Sequence, residues 1–227
     1  MTKLYIVPTP IGNLEDITYR AVSVLKEVAL IMAEDTRTSR NLLNHYGIKN
    51  KLKSYHKFNE HKVVTIMSDL FEIYNSIALI SDAGTPGISD PGYLLVRTCI
   101  QLGVEVECLP GPTAFVPALV VSGLPSDRFL FEGFIPVKKG RQRKLTELSS
   151  YTQTIVLYES PYRVLKTLED LSANFGQDRI ISISREISKK FEETFRGRID
   201  EAIAYFSAKK IKGEFVFVIE GAPKKSS

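Results

Sequence analysis

The chain has 227 residues, of which 44% are hydrophobic and 25% charged, and its formal net charge is +4. This composition is ordinary for a soluble globular protein, and the length suits one large domain or two small ones. The first apolar run, Leu4 to Val7, is far too short for a signal peptide, and no stretch approaches the length of a membrane span. Cys99 and Cys108 lack CxxC spacing, so we expect no metal site and a reduced, cytoplasmic location.

The charge is unevenly distributed along the chain. Residues 1–120 carry 11 basic against 12 acidic side chains, whereas residues 121–227 carry 19 against 14. A basic second half favours a polyanionic partner, although many proteins reach this value without one.

Alternating strand and helix patterns dominate the first half. Short apolar runs predict buried strands at 3–7, 30–33, 77–80 and 104–109, and helical spacing predicts helices at 17–28, 36–46, 61–71, 93–102 and from 113. The repeated order of strand, loop and helix predicts a largely parallel sheet with helices on its faces.

The second half begins after a linker candidate, Ser122 to Asp127. Further strands are predicted at 129–134, 154–158, 179–184, 192–198 and 214–219, with helices at 161–174 and 200–208. We therefore predict two α/β domains with mostly parallel or mixed sheets, an N-terminal one at 1–121 and a C-terminal one at 122–227.

Three loops rich in glycine and proline each follow a predicted strand. They are Pro8–Asn13, Ser81–Gly92 and Pro110–Ala114. If their strands are parallel neighbours, the three loops meet at one edge and form a ligand cleft. The central loop carries carboxylates and no lysine, which suits a ligand with hydroxyls or an ammonium better than a phosphate. Tight structural turns are the alternative interpretation.

The chain closely resembles the tetrapyrrole-methylase-like class of S-adenosylmethionine (SAM) methyltransferases. Within that class it is most similar to the bacterial enzymes that methylate a cytidine ribose 2′-hydroxyl in small-subunit (16S) ribosomal RNA. The matching stretches are VPTPIGNLEDITYRA, AEDTRTSR, SYHKFNE, LISDAGTPGISDPG, PGPTA, FEGFIP, LYESPYR, SREISKKFEE and GEFVFVIEG. The resemblance implies SAM bound in the cleft between the two domains, a homodimer, and the small ribosomal subunit as partner.

The same resemblance implies a set of cofactor contacts. In the first-domain loops they are Pro10, Ile11, Gly12, Asp82, Gly84, Thr85, Ile88, Ser89, Thr113 and Ala114, and in the second domain Tyr158, Glu159 and Gly213. The chain departs from the class at one point. Where the class has a Gly-Asp-Pro turn, this sequence has Gly84-Thr85-Pro86, so Asp82 or Asp90 is the candidate for the missing aspartate's role.

Two polar stretches near strand ends supply candidates for acid–base chemistry. A ribose hydroxyl is a poor nucleophile, so a base or a polarising cation would assist methyl transfer to it. Glu34, Arg37, His56 and Glu60 are the candidate catalytic residues. The competing interpretation makes Asp35 a helix cap, Glu34 and Arg37 a surface ion pair, and His56 a histidine with an ordinary structural role.

A basic cluster supplies candidates for RNA binding: Lys138, Lys139, Arg141, Arg143 and Lys144. If all five met phosphates of a single strand, log affinity would fall with log salt with a slope of about −3.5. A solvated basic loop is the alternative. Tyr55, Phe58 and Tyr162 are candidates for stacking on bases, with core packing the simpler role for each.

Two other functions stay open on sequence grounds. One is a methylase of a tetrapyrrole-like acid, a small-molecule substrate that basic residues would also bind. The other is a non-catalytic RNA- or ribosome-binding module that has kept the fold and would not bind SAM. We expect no DNA or membrane partner.

Overall fold

The computed structural model describes residues 2–223, and these form two compact units divided between Thr113 and Ala114. The division falls before the helix Phe115–Ser122, whereas the sequence placed it after Val121. The reason is packing, because Ala118 and Leu119 of this helix are buried against strands of the second unit. The helix therefore belongs to the second unit.

The first unit contains a five-stranded sheet. Its strands are β1 (Lys3–Ile6), β2 (Leu30–Ala33), β3 (Leu52–Ser54), β4 (Ser76–Ile80) and β5 (Glu105–Cys108). Their order is β3-β2-β4-β1-β5, and every neighbouring pair is parallel. The predicted parallel sheet is confirmed. The sequence missed β3, whose three half-buried residues include Lys53 and Ser54 and give no apolar run.

The helices of the first unit cover both faces of this sheet. They are α1 (Tyr19–Glu27), α2 (Thr36–His45), α3 (Glu60–Val64), α4 (Met67–Ile73) and α5 (Tyr93–Gln101). Asp35 caps α2 as predicted, since its side chain accepts a hydrogen bond from the Arg37 amide. The single helix predicted at 61–71 was wrong, because the chain breaks into α3 and α4 at Thr65 and Ile66.

The second unit contains a mixed sheet. Its helices are α6 (Phe115–Ser122), α7 (Arg141–Ser149), α8 (Val164–Phe175) and α9 (Ile199–Ser207), and its strands are β6 (Phe129–Phe134), β7 (Thr154–Glu159), β8 (Ile180–Arg185), β9 (Glu193–Arg198) and β10 (Phe215–Ile219). The strand order is β6-β7-β10-β8-β9. The β6–β7 pair is parallel and the other three pairs are antiparallel.

Helix α7 was not predicted, because its first turn lies in the basic run that favours a loop. Gly140, at φ 82°, precedes it, and Leu145 and Leu148 on α7 are fully buried. Packing of these two leucines therefore holds a helix that the local charge pattern hides. Between residues 2 and 223, the structure contains no helix long and apolar enough to cross a membrane.

Candidate active site

The first-unit candidates share one edge of the parallel sheet. All five strands run in the same direction, so the segments that follow their carboxyl ends emerge together. These segments carry the Pro8–Asn13, Ser81–Gly92 and Pro110–Ala114 loops, and also Glu34 after β2 and His56 after β3. The expected common edge is confirmed, and it includes both polar stretches.

Backbone pairing joins the first and central loops. Thr9 and Gly84 form an antiparallel bridge in which each amide donates to the other's carbonyl oxygen at 2.9 Å. The Thr9 hydroxyl donates to the Ser81 carbonyl at 3.1 Å, and the Ser81 hydroxyl donates to the Gly84 carbonyl at the same distance. Both hydroxyl side chains are buried. The hydroxyls therefore add to the backbone bridge by hydrogen-bonding carbonyls of the central loop.

The third loop is tied to the other two. The Thr85 hydroxyl donates to the Pro112 carbonyl at 3.0 Å. Gly111 lies so close to Pro8 that a Cβ atom there would be 2.7 Å from the Pro8 Cβ. Thr85, where the class has an aspartate, therefore links two loops.

The central loop presents backbone to solvent. Asp82, Ala83, Gly87, Ile88 and Ser89 are exposed. Ser89 has φ 64°, a left-handed conformation that is strained for a residue with a Cβ and that is often found at functional sites. The remaining expected contacts flank this surface: Pro10 and Gly84 are buried, Ile11, Thr85, Thr113 and Ala114 are half-buried, and Gly12 is exposed.

A cavity of about 400 Å³ adjoins the central loop. It is lined by Glu34, Lys57, Glu60, Ser89, Asp90, Pro91, Gly92, Tyr93 and Leu94. Two of the four candidate catalytic residues, Glu34 and Glu60, thus face the same space as the expected contact Ser89. Sequence reasoning missed Lys57 and Tyr93. The position of Lys57 within SYHKFNE was the available signal.

Glu34 is a carboxyl group of this cavity whose pKa is raised above its ordinary value. Burial raises its pKa, and repulsion from Asp82 adds to the shift, while Lys57 and His56 oppose it. Burial also raises the pKa of Asp82, although its Oδ1 accepts a hydrogen bond of 3.1 Å from the Asp35 amide. A half-buried carboxyl with a raised pKa beside a cavity is typical of a general acid or base.

Arg37 is not one of the residues that line this cavity. Its guanidinium pairs with the Asp35 carboxylate at 3.1 Å, and its side chain is 91% exposed. The hydrogen bonds from Arg37 lower the pKa of Asp35 to about 2. Asp35 is thus the helix cap of the competing interpretation, but the surface ion pair joins Arg37 to Asp35 and not to Glu34.

His56 is held by its own loop. Its Nδ1 accepts a hydrogen bond of 3.2 Å from the Phe58 amide, and its own amide donates to Asn59 Oδ1 at 2.8 Å. A neutral ring with Nδ1 as acceptor carries its proton on Nε2. The Nδ1 atom of His56 is therefore used within its own loop.

The three candidate aromatic residues differ in exposure. Tyr55 is only 1% exposed and packs in the first-unit core, which is the simpler of the two roles that the sequence suggested for it. Phe58 is 85% exposed and Tyr162 is 95% exposed, so both rings are accessible.

In the second unit, the Glu159 side chain belongs to a buried polar network. Its carboxylate pairs with Arg163 at 2.6 Å, accepts from the Thr167 hydroxyl at 2.6 Å, and accepts from the Ser160 amide at 2.7 Å. The side chain is only 1% exposed. Its oxygens are therefore already hydrogen-bonded within the unit.

Tyr158 and Gly213 also have packing roles in this unit. The Tyr158 ring meets Phe131 and Phe134 edge-on, with centroids 5.1 and 5.6 Å away. Gly213 has φ 95°, and a Cβ there would be 2.6 Å from the Glu186 carboxyl carbon. Only glycine allows this approach without a shift of Glu186.

The basic cluster divides into two groups. Arg141 donates to Asp170 at 2.8 Å, to Thr167 at 2.8 Å and to the Pro136 carbonyl at 3.0 Å, and its side chain is 11% exposed. Lys144 pairs with Glu132 and Glu147, each at 3.2 Å. Arg141 and Lys144 are therefore paired with carboxylates of their own unit, and their contact with phosphates stays a prediction. Lys138, Lys139 and Arg143 are exposed.

Comparison with known proteins agrees with this architecture. Residues 3–203 match the family model of tetrapyrrole (corrin/porphyrin) methylases. The chain is 48% identical to ribosomal RNA small subunit methyltransferase I of Thermotoga maritima over 221 residues, covering 97% of this chain and 99% of that protein. It is 49% identical to the Synechocystis sp. protein of the same name over 220 residues, covering 96% and 79%.

The fold is also shared with a solved structure of low sequence identity. The uroporphyrin III C-methyl transferase of Thermus thermophilus has a TM-score of 0.67 and 17% identity, covering 96% of this chain and 97% of that one. The resemblance seen in the sequence is confirmed, and the chain belongs to the tetrapyrrole (corrin/porphyrin) methylase family.

Proposed function

We propose that this protein is a SAM-dependent methyltransferase that methylates the ribose 2′-hydroxyl of a cytidine in 16S ribosomal RNA. The observation that carries the proposal is the cavity in which Glu34 and Glu60 face Ser89 and Asp90 of the central loop. The ribosomal RNA methyltransferases among its relatives, at 48–49% identity, support an RNA substrate. The tetrapyrrole enzyme, at 17% identity, supports only the fold.

The exposed edge of the first unit fits SAM chemically. SAM carries an ammonium group, ribose hydroxyls and a positively charged sulfur. The edge offers the Asp82 carboxylate and the exposed backbone of Gly87 to Ser89. Asp82 is our candidate for the role of the class aspartate. Tyr158 and Gly213 stay cofactor contacts on the resemblance alone, and Glu159 would contribute through its backbone.

The bound cofactor would supply an electrophilic methyl group. The residues of this chain then have to hold the ribose oxygen in line with it, and positioning of this kind is worth about 7–11 kcal/mol of barrier. We assign the proton of the 2′-hydroxyl to Glu34, whose raised pKa makes it a stronger base than an exposed glutamate. Lys57, on the same cavity, would stabilise the negative charge that develops on the oxygen.

The other three candidates take different roles. Glu60 lines the cavity and would orient the acceptor nucleotide. His56 would donate a hydrogen bond from Nε2. Arg37 receives no catalytic role, because its guanidinium pairs with Asp35 outside the cavity.

RNA would be held by Lys138, Lys139 and Arg143, the exposed members of the basic cluster. Three phosphate contacts predict a salt slope of about −2 for a single strand, instead of the −3.5 that the full cluster would give.

We propose in addition that the protein is a homodimer that acts on the small ribosomal subunit in the cytoplasm. Light scattering on the purified protein would measure its mass and so test whether it is a homodimer.

Calorimetry with SAM separates an enzyme from a non-catalytic module. The proposal expects saturable binding of SAM. It also expects tritium to pass from methyl-labelled SAM to small ribosomal subunits and not to a tetrapyrrole acid. Failure to bind SAM would favour the non-catalytic module, and label on the tetrapyrrole would favour the small-molecule methylase.

A further inference from the structure

The loops that follow β6 and β7 present an unusual group of exposed side chains. Because these two strands are parallel neighbours, both loops emerge at the same edge of the second sheet. We call the group Phe134, Val137, Lys138, Lys139 and Tyr162 the β6–β7 edge. The exposed fractions of Phe134, Val137 and Tyr162 are 52%, 65% and 95%.

The two loops of the β6–β7 edge are in direct contact. Arg163, next to Tyr162, donates to the carbonyl of Ile135 at 3.4 Å and pairs with Glu159 at 2.6 Å. From the other side, Arg141 donates to the Pro136 carbonyl at 3.0 Å and to the Thr167 hydroxyl at 2.8 Å. Thr167 in turn donates to Glu159.

This network fixes the backbone on both sides of the exposed residues. The guanidinium groups of Arg141 and Arg163 bind carboxylates and loop carbonyls of the second unit. The Arg141 side chain is accordingly only 11% exposed. A surface that is held in place before a ligand arrives loses less conformational entropy on binding. The network therefore supports the exposed rings and lysines without contacting a ligand itself.

The chemistry of the edge combines rings with unpaired positive charge. Within residues 2–223, no ion pair to Lys138 or Lys139 is found. Base–aromatic stacking together with lysine–phosphate contacts is the usual means of holding an unpaired strand. An acidic peptide would satisfy the lysines but would give the almost fully exposed Tyr162 ring no flat partner.

We propose that the β6–β7 edge binds a single-stranded segment of RNA, with Tyr162 stacked on a base and Lys138 and Lys139 on phosphates. The proposal rests on the proposed function for its substrate class. It adds where the strand lies on the second unit and divides the side chains into those that contact RNA and those that position them. Arg141, Arg163, Thr167 and Glu159 are the positioning residues.

The test measures the affinity of the full chain for a labelled 12-nucleotide single-stranded RNA by fluorescence anisotropy at several salt concentrations. Tyr162→Ala should weaken binding about 5- to 150-fold, because the loss of one base–aromatic stack lowers affinity by a factor of this size. Tyr162→Phe keeps the ring and should bind like the wild type. The double variant Lys138→Ala/Lys139→Ala should make the salt slope shallower by about 1.4.

A matched control lies at the opposite edge of the first sheet. Lys26 and Lys49 are exposed and precede β2 and β3, so Lys26→Ala/Lys49→Ala removes the same charge elsewhere. This control should leave the salt slope unchanged.

The proposal is overturned if Tyr162→Ala and the double lysine variant both bind RNA like the wild type. It is also overturned if an acidic peptide competes for the edge and RNA does not. A methyl-transfer assay separates this failure from failure of the proposed function. RNA binding through Tyr162 without methyl transfer would refute only the function, and methyl transfer indifferent to Tyr162→Ala would refute only the edge.

Discussion

Thr85 donates its hydroxyl to the carbonyl oxygen of Pro112 at 3.0 Å, and this bond joins the central loop to the loop after β5. The residue stands where the resemblance to the methylase class implies an aspartate. Its side chain is therefore used inside the protein, where it holds two loops of the candidate site at a fixed spacing.

Thr85→Val removes this hydrogen bond and leaves the Pro112 carbonyl without it, while the side-chain shape is kept. We expect the free energy of unfolding to fall by about 1 kcal/mol. We expect the KM for SAM to rise and kcat to change little. The reason is that SAM binding depends on the spacing of the two loops, whereas the positions of the reacting groups depend on it less. Urea unfolding and steady-state kinetics measure the two effects. An unchanged KM for SAM would mean that the Thr85–Pro112 bond does not shape the cofactor site.

Glu34→Gln keeps the size of the side chain and removes its ability to accept a proton. If Glu34 is the base, kcat should fall about 10²- to 10⁴-fold, with the affinity for SAM unchanged. Glu27→Gln is the matched control, because Glu27 is an exposed glutamate at the end of α1, away from the cavity. A variant with Glu34→Gln that turns over like the wild type would exclude Glu34 as the base.

The raised pKa of Glu34 also predicts two pH effects. Activity should rise with pH as the carboxyl ionises, and the midpoint of this rise should lie above the ordinary pKa of 4.5. The rise should be absent from Glu34→Gln.

The second effect is on stability. A carboxyl whose pKa is raised by folding binds its proton more tightly in the folded state. Stability is therefore lost as pH rises from the unfolded toward the folded pKa, so Glu34→Gln should be more stable than the wild type at neutral pH. A less stable variant would contradict the burial argument.

Ser89 offers a test of strain in the central loop. Its φ of 64° is unfavourable for a serine and free for a glycine. We expect Ser89→Gly to raise the free energy of unfolding by up to about 1 kcal/mol, and Ser89→Ala to give no such gain. Thermal unfolding of both variants distinguishes relief of strain from loss of the hydroxyl. If glycine destabilises the protein more than alanine does, the strain account is wrong.

The buried network around Glu159 should be a large contributor to the stability of the second unit. Arg163→Met removes the partner of a carboxylate that is 1% exposed. We expect a loss of about 3 kcal/mol, since the charge left behind stays buried. Arg40→Met, at an exposed arginine of α2, should change stability by less than about 0.5 kcal/mol. Equal effects of the two variants in urea unfolding would refute a structural role for the pair.

Local sequence patterns predicted most of this fold for clear physical reasons. The apolar run Leu30 to Ala33 is buried at every position, so its strand was found with the observed bounds. Strand β3 and helix α7 were missed because neither has a continuous local signal. β3 depends on pairing with β2, and α7 on burial of Leu145 and Leu148.

The candidate site was predictable to the level of loops but not of individual side chains. Parallel strands bring strand ends together whatever the residues are, so the common edge follows from the pattern. Whether a basic side chain is available to bind RNA depends on partners that lie far away in the sequence. Arg141 is committed to Asp170 and Lys144 to Glu132, and nothing in the basic run itself indicates these pairs.

The most direct test of the central claim is the position of the transferred methyl group. Small ribosomal subunits lacking the modification are incubated with the protein and methyl-labelled SAM, and the RNA is digested to nucleosides for mass spectrometry. The account predicts label in 2′-O-methylcytidine, with the transfer abolished or strongly reduced by Glu34→Gln. Label on a base, or no label on RNA at all, would contradict it.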